Sequence, residues 1–243
     1  MFRNAEQFES ELLTTEAQLD LLRDYNERYW GGELAESQFQ ATPVDDQPQT
    51  LDNVHVLHAE FANPIDTIDH WRKVYMNAHW GRGEVHWNSL PPTKYLGEQL
   101  RLLDPAKGPI ATYTPGIHLV RMDLTKDNAS FDGRDEHGTF RQVRDLDEVR
   151  KEVDRTSMLL AHSEVLSVVG LHKAFQANGG YASEHGPYLS GYEMKNIFVG
   201  RPGPEYDWVP VMGSSGREDQ MGLRCRPAKG NLFGAIPLVH PRA

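Results

Sequence analysis

Apolar positions recur at an approximate three-to-four spacing in TTEAQLDLLRDYNERYWGG, residues 14–32. Leu19, Leu22, Asn26 and Tyr29 follow it, with Leu12 and Tyr25 near the same side. The pattern predicts an amphipathic helix beginning at Thr14 or Thr15. With Thr15 as N-cap, Gln18 occupies the third helical position, as in a capping box. Gly31 and Gly32 supply the stop. The next stretch, FQATPVDDQPQTLDN, has loop composition. VHVLHAEF, residues 54–61, reads as a strand whose alternation is broken by Leu57 and which Pro64 ends.

Asp66 is placed to cap a helix over DTIDHWRKVYMNAHW. On it Trp71, Tyr75 and His79 share one side, and His70, Lys73 and Asn77 another. Gly81 and Gly83 break the chain before EVHWN, and TKYLGEQLRLLD, residues 93–104, predicts a further helix stopped by Pro105. IHLVRMDL, residues 117–124, alternates well enough to be the leading strand of the middle third. Turn signals follow at Asp132-Gly133 and His137-Gly138. Residues 146–178 form the longest helical stretch, charged at first and then apolar on most sides in MLLAHSEVLSVVGLHKAFQ, so a buried central helix is expected. Beyond Asn178-Gly179-Gly180 the segments are short, with strand-and-turn composition.

These elements predict an α+β fold: a mixed or antiparallel sheet packed against a long central helix, with additional short helices. The economical division is one domain over residues 1–243, with an acidic N-terminal helical region and an inserted turn region at 126–145.

Charge sharpens this picture. Residues 1–69 hold 15 acidic and 3 basic side chains, a net of −12; residues 70–200 balance at 16 of each; the remainder carries 6 basic and 4 acidic, a net of +2. A polyphosphate is repelled by the first region and meets no basic stripe elsewhere, so no nucleic-acid partner is expected. The acidic region suits solvation or a basic protein partner. No apolar run reaches the roughly 20 residues of a membrane-spanning helix, so no membrane partner is expected. MFRNAEQFESELL lacks the order of a signal peptide. Cys225, the single cysteine, precludes an intrachain disulfide and a thiolate-built zinc site. A soluble, cytoplasmic protein is the expectation.

Candidate chemistry concentrates in HWRKVYMNAHWGRGEVHWN, residues 70–88, with three tryptophans and three histidines. His70 and His79 are nine residues apart, about two and a half helical turns, and no two-histidine helix motif with an intervening glutamate is present, so no metal is expected. A general acid–base pair is the simpler reading. Glu84 and His86 share a face if extended, and the carboxylate orients the imidazole; His79 joins them as a catalytic candidate if the glycine turn folds back, with Trp80 and Trp87 lining the recess. Trp71 is the aromatic anchor for a ligand or partner. His162-Ser163-Glu164, read within a continuous helix, point about 100° apart and cannot form a relay by themselves; His162 is expected to bond across the core. GSSGRED lacks the lysine and spacing of a phosphate loop, and no dinucleotide fingerprint occurs, so no cofactor is expected. Arg224 and Arg226, two apart on a strand, are placed to clamp a small anionic ligand or a partner's acid.

Two readings of function follow. One is a non-catalytic protein-binding or accessory module, with a protein partner or a second copy of the chain bound through aromatic anchors. The other is a small-molecule hydrolase or isomerase using a His/Glu acid–base pair in a Trp-lined pocket.

Overall fold

The first helix forms where the pattern places it, but its polar residues serve another purpose. The computed structural model describes residues 9–50, 52–77, 100–123, 142–143, 146–172, 187–195, 206–214, 221–228, 232–233, 236–237 and 239–241. In it α1 spans Thr15–Arg28. Thr14, not Thr15, is the N-cap, and its hydroxyl accepts the Ala17 N–H at 3.2 Å. Gln18 closes no capping box. Its Nε2 donates to Leu13 O at 3.0 Å and His55 O at 2.8 Å, and its Oε1 accepts the Leu57 N–H at 2.7 Å. Gln49 adds a second amide, accepting the His55 N–H at 3.0 Å and donating to Leu13 O at 2.5 Å. Together they satisfy the outer edge of β1 (Val54–Glu60), whose buried backbone would otherwise lack partners there. Gly31 and Gly32, at φ 66° and 74°, turn the chain away after the helix.

The inner edge of β1 pairs antiparallel with β3 (Gly116–Met122), from Val54↔Met122 to Glu60↔Gly116 without interruption. The short helix α2 (Glu36–Ala41) precedes β1 in the chain, and α3 (Pro64–Asn77) follows it, ahead of β3. α3 starts ahead of Asp66 because Asn63 Oδ1 accepts the Ile65 N–H at 3.0 Å, while Pro64, which needs no N–H partner, takes the first helical position.

The long central helix does not form. Residues 146–171 divide into α4 (Leu146–Asp154), β5 (Met158–Leu160) and α5 (Glu164–Leu171). Thr156 makes the break: its hydroxyl donates to Val153 O at 2.8 Å and accepts the Met158 N–H at 3.1 Å. β5 then pairs with β12 (Val239–Pro241), so ladder formation outweighs the helical pattern of MLLAHSE. Residues 100–104 also depart from the predicted helix. Leu100–Leu102 is β2, paired with β7 (Tyr192–Lys195); residues 93–99 lie outside the described set.

The largest sheet centres on β8 (Tyr206–Ser214). β9 (Met221–Pro227) runs antiparallel along one edge, and β7 and β6 (Pro187–Tyr188) share the other. β11 (Ile236–Pro237) joins β6 in parallel, which makes the sheet mixed. β4 (Gln142–Val143) pairs with β10 (Leu232–Phe233) within the predicted turn region, of which residues 126–141 and 144–145 lie outside the described set. The chain is thus an α+β protein. Its main core brings Leu22 of α1, Val56 of β1, Trp71 of α3, Leu166 of α5 and Tyr192 of β7 into one cluster; a smaller one gathers Leu103, Leu146, Leu160 and Val209. Among the described residues no helix is long and apolar enough to cross a membrane.

Candidate functional site

β1 is buried along its whole length, yet it carries His55, His58 and Glu60. Polar groups in such a strand require partners, and these partners define the site. His58 and Glu60, two residues apart, project from one face of the strand. His58 Nε2 lies 2.7 Å from Glu60 Oε2, and His58 Nδ1 lies 2.9 Å from Ser167 Oγ on α5. One neutral tautomer satisfies both contacts: Nε2–H donates to the carboxylate and Nδ1 accepts the Ser167 hydroxyl. Thr67 of α3 donates its hydroxyl to Glu60 Oε1 at 3.1 Å and accepts the Phe61 N–H at 2.9 Å.

The strand-to-helix turn between β5 and α5 supplies the other half. Ser163 is the N-cap of α5, but with φ −71° and ψ −23° it is already helical, and its side chain makes no cap bond. An N-cap hydroxyl normally accepts an N–H of the first turn from an extended conformation. Here it turns into the cluster instead. Ser163 Oγ lies 2.8 Å from Glu60 Oε2, 2.7 Å from His162 Nδ1 and 3.2 Å from His58 Nε2. Glu164 Oε2 accepts the His162 backbone N–H at 2.9 Å and lies 3.6 Å from His162 Nδ1. His162, Ser163 and Glu164 thus face a common centre because they occupy a turn, where the 100° helical rotation does not apply.

Three aromatic residues enclose this centre. Trp71 lies parallel to His58 at 6.2 Å and donates its indole N–H to Ala59 O at 3.3 Å. Tyr192 meets His162 edge-on at 5.7 Å. Tyr113, on the segment leading into β3, lies 5.6 Å from the His58 ring and 5.2 Å from His162, with its hydroxyl 3.5 Å from Glu164 Oε1. Tyr113 is part-exposed, whereas His58, Glu60, Ser163, Glu164 and Tyr192 are buried.

Electrostatics follow from this packing. Burial pushes the Glu60 carboxyl up, but the hydrogen bond from His58, the His58 and His162 charges and the Ser163 hydroxyl outweigh it, so the group titrates below the usual range. Burial raises the Tyr113 phenol far above its ordinary value, and the charges of Glu164 and Glu60 act in the same direction. Burial does the same to Tyr192, with the Glu60 charge adding to it and the Ser163 hydrogen bond opposing it. Both phenols therefore stay protonated and able to donate. Among the described residues no group of three or more His, Cys, Asp or Glu is placed to hold a metal ion.

On the opposite face of β1, His55 meets His172 from the end of α5 in a second buried pair. His172 Nδ1 accepts the Leu13 N–H at 3.2 Å, and His55 Nε2 stands 3.7 Å from Asp45 Oδ2. Asp45 also pairs with Arg121 of β3. Burial lowers both imidazoles, His172 to about 4.

The residues singled out from the sequence fall elsewhere. His79, Trp80, Glu84, His86 and Trp87 lie outside the described residues. Trp71 is fully buried beside His58. His70 is held on α3 by Asp66 O and Glu33, each at 2.7 Å, and stacks on Phe61. Arg224 and Arg226 stand two apart on β9, opposite Val211 and Val209. The sequence reading passes over His58 and Glu60, and sets Ser163 aside because it places His162-Ser163-Glu164 within a continuous helix. The available signal was histidine and glutamate two apart inside a strand too apolar for a solvated face, followed far downstream by a polar triplet between apolar runs. No known family, curated protein or solved structure matches the chain.

Proposed function

We propose that this protein is a hydrolase acting by acyl transfer, with Ser163 as nucleophile and the His58–Glu60 pair as its acid–base partner. The observation that carries the reading is the Ser163 hydroxyl, freed from its capping role and held by Glu60 and by two imidazoles. Buried clusters of titratable groups cost a core stability and recur at reaction centres.

In the proposed reaction, Ser163 Oγ attacks the carbonyl carbon of an ester or amide as its proton passes to the His58–Glu60 pair. Collapse of the tetrahedral intermediate breaks the bond to the leaving group, which takes that proton, and leaves an acyl-serine. Water then gives a proton to the pair and adds to the acyl carbon; the bond to Ser163 Oγ breaks, the acid leaves, and the proton returns from the pair to Ser163. Within the pair the proton passes to Glu60 Oε2, which accepts the Ser163 hydroxyl at 2.8 Å, while His58, its Nε2–H given to that carboxylate, holds it in place. His162 donates to Ser163 Oγ in the resting state and aims it. Substrate reaches the centre past Tyr113, its part-exposed member.

The test is mass-spectrometric mapping after exposure of the folded chain to a fluorophosphonate probe. A single adduct on Ser163 is expected, absent in Ser163→Ala and slowed about 100-fold or more in His58→Gln and Glu60→Gln, the range of general-base loss. A folded wild-type chain that takes no adduct at Ser163 overturns the proposal.

A second reading, the non-catalytic protein-binding module, draws on the acidic excess of residues 1–69. Trp71 lies in the interior and supplies no exposed ring for it.

A further inference from the structure

A buried arginine stands behind the Ser163 centre. Arg150 of α4 is 2% exposed, and its guanidinium grips the turn that leads into β7. Nε and Nη2 donate to Ser190 O at 3.2 and 3.0 Å, and Nη2 also donates to Tyr192 O at 3.1 Å. Nη1 donates to Asp147 Oδ1, one turn back on the same helix, at 3.2 Å. The planar fork therefore spans two carbonyl oxygens that flank Gly191, a geometry that a single ammonium reproduces only in part.

Gly191 is the point where this turn meets the reaction centre. Its N–H donates to Ala161 O at 2.8 Å, and its carbonyl accepts the Leu103 N–H at 2.8 Å. Ser190 Oγ donates to the same Ala161 oxygen at 3.3 Å. A Cβ at position 191 would fall 2.9 Å from His162 Cβ and 3.1 Å from Ala161 O, so the two backbones are in direct contact. Ala161 and His162 lead immediately into Ser163, and Tyr192, the next residue after Gly191, sets its ring against His162. α4 thus reaches the nucleophile through one continuous run of contacts: guanidinium, two carbonyls, a glycine and the histidine backbone.

We infer that Arg150 is a positioning residue for the Ser163 centre, acting through the turn at 190–192 rather than by touching substrate. This rests on the acyl-transfer reading for its functional consequence, but its geometric content stands apart from it. The guanidinium fixes the height of Gly191 over His162. That in turn fixes the short contact between His162 Nδ1 and Ser163 Oγ on which the aim of the hydroxyl depends. Loosening it by about 1 Å is enough to slow a reaction about 100-fold.

The test uses the full chain with Arg150→Gln, Arg150→Lys and Gly191→Ala. Two readouts are taken: the rate of fluorophosphonate addition at Ser163 across the pH range, and deuterium exchange at the His162 imidazole carbon. Arg150→Gln is expected to lower the addition rate about 100-fold, to displace its pH profile and to change the His162 exchange rate. Arg150→Lys, still able to donate to both carbonyls, should stay within about tenfold of wild type. Gly191→Ala should reproduce the Gln phenotype from the other side of the contact. A folded Arg150→Gln with wild-type rate, pH profile and exchange overturns the inference, since a merely stabilising arginine would lower the melting temperature and move none of these. Should Arg150→Gln not fold, a folded Gly191→Ala with wild-type rate, pH profile and exchange overturns it equally. If Ser163 takes no adduct in wild type but His162 exchange shifts in the variants, the acyl-transfer proposal fails and the clamp is upheld. If Ser163 is labelled and neither readout responds, the clamp fails and the acyl-transfer proposal stands.

Discussion

Lowering the pH from 7 to 4 should destabilise this protein through His172, in a range where its carboxylates contribute little. His172 is fully buried at the C-terminal end of α5, its Nδ1 accepts the Leu13 N–H, and His55 lies beside it. Burial is the leading cause of its depressed pKa, followed by the backbone hydrogen-bond contribution of His55, which opposes the depression, and the His55 charge, which adds to it. The value falls from 6.5 to about 4. Between those limits the unfolded chain binds a proton that the folded chain refuses, so stability is present above 6.5 and is lost as pH falls toward 4. Linkage gives a loss of about 2 kcal/mol by pH 5 and about 3 kcal/mol by pH 4 from this single imidazole. His55 is also lowered by burial, with Asp45 opposing, and adds to the loss in the same direction. Glu60 and Asp45 are held below their ordinary values and lose their contribution only under more acid conditions.

The assay is urea unfolding at a series of pH values from 8 to 4, comparing wild type with His172→Asn. The asparagine oxygen keeps an acceptor for Leu13 N–H but cannot be protonated. The variant should be less stable at pH 8, through lost packing, and its stability should fall less steeply, so that by pH 5 the gap to wild type narrows by about 2 kcal/mol. Parallel stability curves for the two proteins would falsify the assignment.

Three further outcomes follow from packing. Gln18→Ala leaves His55 O and Leu57 N unpaired in the interior and should cost about 3 kcal/mol or more in chemical denaturation, whereas an ordinary surface glutamine would cost almost nothing. Trp71→Ala should cost about 3–5 kcal/mol by the same measurement, since its ring is fully buried against Trp30, Tyr25 and His58; a loss under 1 kcal/mol would contradict that placement. Thr14→Ala removes the α1 cap and should lower stability by about 1 kcal/mol, while Thr15→Val, at the position first expected to cap, should leave helix content unchanged by circular dichroism.

The sequence revealed elements with strong local periodicity and concealed those decided by distant partners. α1, β1, β3 and the strand-rich C-terminal third were legible because apolar spacing and turn residues specify them locally. The run at 146–171 misled for a physical reason: MLL satisfies a buried helix and a buried strand equally, and the choice is made by pairing with residues 239–241, some 80 positions later. Leu100–Leu102 misled in the same way, through its pairing with Tyr192–Met194. The candidate site suffered a related blindness. His162-Ser163-Glu164 converges only because the helix starts at Glu164, and a boundary error of two residues changes a useless spiral into a common centre. His58 and Glu60 carried a visible anomaly, polar residues two apart in an apolar strand, but their partner lay more than 100 positions downstream.

The glutamine amides along β1 bear on how the molecule behaves in a crowd. A two-stranded ladder with an open flank is a template on which a neighbouring chain can continue the sheet. Gln18 and Gln49 occupy that flank with groups that mimic a third strand yet cannot be extended. Their removal should therefore show itself in concentration-dependent association, and Gln18→Ala should sediment as larger species under conditions in which the parent chain does not.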